Sequence, residues 1–192
     1  DVEAVGIGWG TIVLEPGVYV LTEPLIFDAI NLVWIQGSGW NTVIKRNGDC
    51  DAIVLNGCGF ATVSNLRIIG NMEAKKGSGI VLRNSSSCTI DYCRIRQFAE
   101  SGIFFEEIQK TNVFQHGYPL TLIGNRDYHI HSRSNNDFIF DSNQFGTHSA
   151  TPLIGCFLDH SSAGTYSKNM HWDNTVALRL SPGCHFNRIE NN

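Results

Sequence analysis

Residues 52–93 read AIVLNGCGFATVSNLRIIGNMEAKKGSGIVLRNSSSCTIDYC, and one pattern is written twice within them. A short aliphatic run, AIVLNG at 52–57, is followed by turn residues and a second short run, ATVSN at 61–65. The same order returns as GIVLRN at 79–84 and TIDYC at 89–93, so that Ile90 takes the place of Val63. Short β-rich runs bounded by Gly, Asn and Ser read as strands. Their recurrence at a near-fixed period points to a stacked architecture, in which each unit buries its apolar side against the next.

The pattern continues beyond this stretch. After Val63 and Ile90 the reference position falls on Val113 in NVFQH, Phe140 in IFDSN, Tyr166 in TYSKN and Ile189 in NRIEN. Three positions beyond these reference residues stand Leu66, Cys93, His116, Asn143, Asn169 and Asn192. The last three are expected to stack as an asparagine column at a bend, where side-chain amides can bond one another and the backbone groups the bend leaves unpaired. A partner strand precedes each reference. Leu55, Leu82, Phe105 and Leu158 stand at one constant step before theirs, and Leu180 at a step one longer. Period-two alternation then places Ile53, Ile80, Ile103, Cys156 and Leu178 inside. In the weakest coil DYHIHS, 127–132, supplies this strand, with Tyr128 and Ile130 inward and a step two longer.

A repeat of about 23 to 27 residues is too short for propeller blades, which need roughly 40 or more, and leucine is too sparse for leucine-rich repeats. The fold class that fits is all-β, a parallel β-helix of stacked coils, with opening coils over 1–60 and regular coils over 61–192 in a single domain. Asn192 falls midway through a coil, so the chain is expected to be part of a longer one.

The bulk figures agree. A hydrophobic content of 42% supplies a core, and 17% charged residues are too few for a disordered chain. A formal net charge of −4 lacks the basic face that nucleic acid requires, and is compatible with a glycan ligand. No run is long enough to span a membrane, and no basic or apolar leader follows Asp1. Of the six cysteines, none has C-x-x-C zinc spacing. Cys88, Cys93 and Cys156 fall on inward positions and read as reduced, buried thiols; a Cys50–Cys58 disulfide remains the open alternative.

GTIVLEPGVYVLTEPLIF (10–27), INLVWIQGSGWNTVI (30–44), GIVLRNSSSCTIDYCRI (79–95) and ALRLSPGCHFNRIENN (177–192) together resemble the pectin-lyase-like right-handed parallel β-helix superfamily. That superfamily contains polysaccharide lyases, polysaccharide hydrolases and phage tailspikes. The resemblance implies recognition of a polysaccharide or cell-surface glycan, with hydrolase or lyase activity, at an extracellular or virion surface, and a homotrimer if the parent is a spike. The alternative it leaves open is a non-catalytic structural or adhesin segment of a spike or fibre. No cofactor, no nucleic-acid partner and no membrane partner is expected. The polygalacturonase motifs are missing, and Asp159-His160 matches only the first half of a pectate-lyase pattern, so no catalytic residue transfers from either family.

The candidate site therefore rests on geometry. Outward positions of the partner strand stack as Asn56, Arg83, Glu106, His131, Asp159 and Ser181. Glu106 and Asp159, two coils apart, would lie roughly 9–10 Å from each other at the backbone, close to the roughly 6.5–9.5 Å between the carboxyls of an inverting glycosidase. Glu106, His131 and Asp159 are the catalytic candidates. The plainer reading is a solvated ladder in which Arg83 pairs with Glu106 and His131 with Asp159, each pair contributing roughly 0–1 kcal/mol. It carries more weight, because His131 sits in the weakest coil. A second outward column holds Val54, Val81, Phe104, His129, Phe157 and Arg179. Arg83, Phe104, Phe157, His160 and Arg179 are the candidate substrate contacts, although packing or an interface explains the aromatic column more readily. His129 and His131 are expected to face the same way, but with no third ligand they imply no metal site.

Overall fold

The computed structural model describes residues 10–106, 113–114, 121–123, 125–146 and 154–192. Among them are 22 strands and no helix, arranged as a parallel β-helix of three sheets. The first sheet stacks Gly10–Leu14, Val33–Gly37, Thr62–Ser64, Thr89–Asp91, Val113–Phe114, Ile139–Asp141, Thr165–Ser167 and Arg188–Glu190. The second stacks Gly17–Leu21, Thr42–Arg46, Arg67–Ile69, Arg94–Arg96, Thr121–Ile123, Gln144–Gly146 and Met170–Trp172. The third stacks Leu25–Asp28, Ile53–Asn56, Ile80–Arg83, Ser101–Glu106, Tyr128–Arg133, Ile154–Asp159 and Val176–Leu180.

The alternation read from the sequence builds the core. Ile53, Ile80, Ile103, Ile130 and Cys156 form one fully buried column of the third sheet, and Leu178 continues it, partly buried, in the last coil. Val63, Ile90, Phe140 and Tyr166 line the first sheet, and Ile68, Ile95, Leu122 and Phe145 the second. Each fully buried aliphatic or aromatic side chain contributes about 1.5–3 kcal/mol. None of the six cysteines is in a disulfide; Cys58, Cys88, Cys93 and Cys156 are buried, and burial pushes the Cys88 thiol up to about 11. The Cys50–Cys58 disulfide does not form.

The corners are made by single residues in the left-handed region. Asn65, Tyr92, Ser142 and Lys168, with φ of 58°, 50°, 56° and 52°, turn the chain from the first sheet into the second. On leaving the third sheet, Asn84, Ser134 and His160 do the same, and Phe60, Ser87, Asp137 and Ala163 turn the chain into the first. For a residue with a Cβ this conformation costs on the order of 1–2 kcal/mol. Backbone bonds to the next coil offset it, such as Phe60 N–H to the Ser86 carbonyl at 3.0 Å and Ser142 N–H to the Ser167 carbonyl at 3.0 Å.

The asparagine column forms as expected. Asn169 Oδ1 accepts from both the backbone N–H and the side-chain amide of Asn143, at 3.0 Å each. Asn169 Nδ2 donates to the Phe140 carbonyl at 2.9 Å, and Asn192 Oδ1 accepts from the Asn169 backbone N–H at 2.9 Å. Leu66 and Cys93 fill the same position in earlier coils. His116 lies outside the described residues.

Two coils depart from the expected register. The residue level with Phe140 is Phe114, while Val113 pairs with Ile139 and Thr89. The step from Phe105 to the reference of that coil is therefore one longer than expected. In the coil before Phe140, the residue level with Phe105 and Leu158 is Ser132, which restores the ordinary step. Ile130 does point inward, but level with Ile103 and Cys156. Tyr128 is half-buried on the outer face, and His129 takes the inward place expected for it. Strict alternation fails here because His129 and Ile130, two consecutive residues, both face the core.

The asparagine column yields a stability prediction. Asn169→Ala leaves the buried Asn143 N–H without its acceptor, at about 1–3 kcal/mol for a buried group, and takes one donor from the Phe140 carbonyl. Urea unfolding should show a loss of about 2–4 kcal/mol, and Asn192→Ala, at the exposed end of the column, less than half of it.

Candidate functional site

The outer face of the third sheet carries a groove of about 450 Å³. One wall is made by two connections that lead into this sheet, residues 47–52 and 70–79. Acidic side chains hold the wall together by accepting from backbone amides one coil away. Asp49 accepts from Lys75 N–H at 2.9 Å, Asp51 from Ser78 N–H at 2.8 Å and Glu100 from Gly77 N–H at 2.8 Å. Buried Arg46 braces it from below through the Leu21 and Asp51 carbonyls, at 2.8 and 3.3 Å. Arg126 ties in the next coil through the carbonyls of Ala74 and Lys75, at 3.2 and 2.9 Å. Val54 and Val81 lie outside the core cluster yet are 6% and 1% exposed, so this end of the aromatic column is covered.

Three rings, Phe104, Tyr128 and His131, line the groove, and Phe157 continues their row beyond it. His131 lies between Phe104 and Phe157, with centroids 5.0 Å away on each side, tilted by 41° against Phe104 and stacked on Phe157, and Tyr128 lies 4.8 Å from His131 and 5.6 Å from Phe157. Arg133 and Arg179 place their guanidinium carbons 5.4 Å from the Phe104 ring and 5.2 Å from the Phe157 ring. Such cation–π contacts contribute roughly 0.5–1 kcal/mol at exposed sites.

A charged ladder runs beside the rings. Arg83 Nε meets Glu106 at 3.2 Å, Arg133 bridges Glu106 at 3.3 Å and Asp159 at 3.6 Å, and His160 Nδ1 meets Asp159 at 2.8 Å. Arg133, not His131, therefore occupies the place between Glu106 and Asp159, and His131 belongs to the aromatic column where His129 was expected. His131 touches the ladder only from the side, with Nε2 4.0 Å from Asp159. The expected Arg83–Glu106 pair is present.

The Asp159 carboxylate of this ladder is a poor proton donor. Burial alone would raise the Asp159 carboxyl, but the Ser181 hydroxyl and His160 outweigh it and hold the carboxyl below its ordinary value. Glu106 is held between two arginines. Asp127, also in the groove, behaves differently. Its carboxyl is raised by burial, against the lowering by Arg126, and the neighbouring Glu100 raises it further. Asp127, Tyr128 and Arg133, with the wall residues Asp49, Asp51, Lys76 and Glu100, are groove residues that sequence reasoning missed. For Arg133 the signal was available: SGIFFE, YHIHSR and IGCFLD, written one above another, put Arg133 in the charged column between Glu106 and Asp159.

His129 and His131 point to opposite sides of the sheet, which removes the shared face expected of them. His129 is fully buried, stacks on Phe145 at 6.0 Å and has its Nδ1 3.2 Å from Asn125 Nδ2. Asn125 in turn accepts from the Phe98 N–H at 3.1 Å. Nearby, His171 Nε2 lies 2.5 Å from the Tyr166 hydroxyl. Among the described residues no group of three or more His, Cys, Asp and Glu side chains is arranged to hold a metal ion.

A family model described as "Right handed beta helix region" matches residues 51–192. Among solved structures, the A-module of the mannuronan C-5 epimerase AlgE6 from Azotobacter vinelandii aligns over 96% of this chain and 92% of its own, at 10% identity and a TM-score of 0.30. No curated protein matches.

Three histidines shielded from water generate a pH prediction. Burial pushes His129 down to about 3 and His171 down to about 4; burial and then Arg133 push His131 down to about 4, against Asp159 and Glu106. An unfolded histidine titrates near 6.5. As pH falls below that value the unfolded chain takes up protons that the folded chain refuses, so stability is complete above about pH 6.5 and is lost on the way down to about pH 4. Each histidine adds a slope of up to about 1.4 kcal/mol per pH unit. Urea midpoints measured between pH 7 and pH 4.5 should fall accordingly, and His131→Asn should reduce the slope by about one proton.

Proposed function

The chain belongs to the right-handed β-helix family, and we propose that the outer face of its third sheet recognises polysaccharide. One observation carries this reading: a row of four rings, Phe104, Tyr128, His131 and Phe157, three of them lining the walled groove, runs beside a row of arginines and carboxylates. Flat ring faces suit the apolar faces of sugar rings, and the charged row offers donors and acceptors to hydroxyl and carboxylate groups. The substrate contacts of this reading are Arg83, Phe104, Phe157 and Arg179 with Tyr128 and Arg133; His160 acts through Asp159. Its natural setting is an extracellular or virion surface, where glycans are displayed.

Cleavage is the second reading, and one observation favours it. Asp127, with its raised carboxyl, and His131, neutral at pH 7, line the same groove, as a general acid and a general base must. Glu106 and Asp159 serve this chemistry less well, because arginine neutralises both. A structural spike segment, with the third face buried against symmetry-related copies in a trimer, is the reading opposed to both.

Titration against a panel of neutral and acidic polysaccharides tests recognition. Tyr128→Ala and Phe157→Ala should each weaken binding about tenfold, or about 1.4 kcal/mol, with thermal unfolding unchanged. Absence of binding to every glycan, together with a trimer by light scattering, points to the structural reading. Release of reducing ends or unsaturated products, lost in Asp127→Asn and retained in Glu106→Gln, would establish cleavage.

A further inference from the structure

The second sheet carries a different outer face. Register sets Arg67 directly beside Arg94, and places Ile69 between Lys45 and Arg96. Four cations therefore surround one isoleucine. Trp40, 59% exposed in the turn before Thr42, has the Arg94 guanidinium 5.7 Å from its ring centroid. None of the four cations forms an ion pair among the described residues. The Nε atoms of Arg67, Arg94 and Arg96 are buried and have no hydrogen-bond partner. Burial, with the adjacent Arg96 and Arg67 charges, pushes the Arg94 guanidinium below its ordinary value.

This is the opposite of the third sheet, where Arg83 and Arg133 alternate with Glu106 and Asp159. Like charges stacked one strand apart, roughly 4.8 Å, repel each other, and no carboxylate among the described residues pairs with them. The donors are forked and suited to bidentate oxyanions. We propose that Arg67, Arg94, Arg96 and Lys45, with Trp40 at their edge, form a second binding site for the carboxylate or sulfate groups of an acidic polysaccharide. The patch spans two strand spacings, roughly 10 Å, more than one inorganic anion covers, and the indole offers an apolar face to a sugar ring. A polyphosphate backbone is a poorer match, because the chain carries a net charge of −4 and the patch holds only these few cations. The proposal is independent of the third-sheet groove.

Calorimetry with a hexamer of galacturonate, cellohexaose, single-stranded DNA and inorganic sulfate tests it. The double variant R94Q/R96Q should lose about tenfold in affinity for the hexauronate and show a shallower salt dependence, with unfolding temperature unchanged or raised. Trp40→Ala, which leaves the charges in place, should lose about threefold. Tyr128→Ala, in the groove, should leave the salt-dependent component intact, which separates failure of this site from failure of the groove. Hexauronate affinity that is the same in R94Q/R96Q and Trp40→Ala as in the wild type would overturn the proposal. So would DNA binding more tightly than hexauronate through the same arginines, or inorganic sulfate binding as tightly as the hexamer.

Discussion

Each strand of this solenoid hydrogen-bonds to the residue at the same place one coil away, and that parallel register governs everything else. It turns a one-dimensional repeat into columns of side chains, roughly 4.8 Å apart. A column is stable only where its members tolerate one another at that distance. Isoleucine on isoleucine does so by dispersion and burial, as in Ile53, Ile80 and Ile103. Asparagine on asparagine does so because each amide both donates and accepts, as between Asn143 and Asn169. A charged column is stabilised by alternating sign, as in Arg83, Glu106, Arg133 and Asp159.

The site depends on a local break in this regularity. Where strands lengthen, at Ser101–Glu106, Tyr128–Arg133 and Ile154–Asp159, two consecutive positions face inward. The additional inward place is held by Gly102, His129 and Gly155 in successive coils. A Cβ on Gly102 would run into Leu122 Cδ2 and sit 2.7 Å from Asn125 Nδ2, and one on Gly155 would sit 2.7 Å from His171 Nδ1. The glycines thus leave the room that Asn125 and the interior histidines fill. The same break moves His131 out of the charged column and among the rings, and brings Arg133 between the carboxylates. One shift of phase separates an acid–base column from an arginine-neutralised ladder beside an aromatic floor.

Burial of neutral polar groups is the corresponding cost. His129 sits in the core with one ring nitrogen opposite Asn125, and with Asn174 and the Gly146 backbone beside the ring. Burial of this kind is tolerated by an imidazole because it can remain uncharged at neutral pH, whereas an arginine cannot. The second sheet shows the contrast: its arginines keep their charge on the outer face, with their Nε atoms left unsatisfied.

The sequence by itself determined the stacked all-β architecture, the inward columns and the asparagine column, because each is set by spacing along one strand and one bend. It placed Arg83, Glu106, Phe104, Phe157 and Asp159 on one outer face for the same reason. It misplaced Val113, Tyr128, His129 and His131, because counting from a reference residue carries no information about a connection one residue longer or a break in alternation. The left-handed corners at Phe60, Tyr92 and Lys168 were equally illegible, since those residue types do not signal a turn and adopt it only when the adjoining coil supplies hydrogen bonds. Tertiary structure alone decided that residues 47–52 and 70–79 wall the groove, and that Arg67, Arg94, Arg96 and Trp40 meet on another face. Those contacts join residues a coil or more apart, and their partners are chosen by register, not by neighbours in sequence.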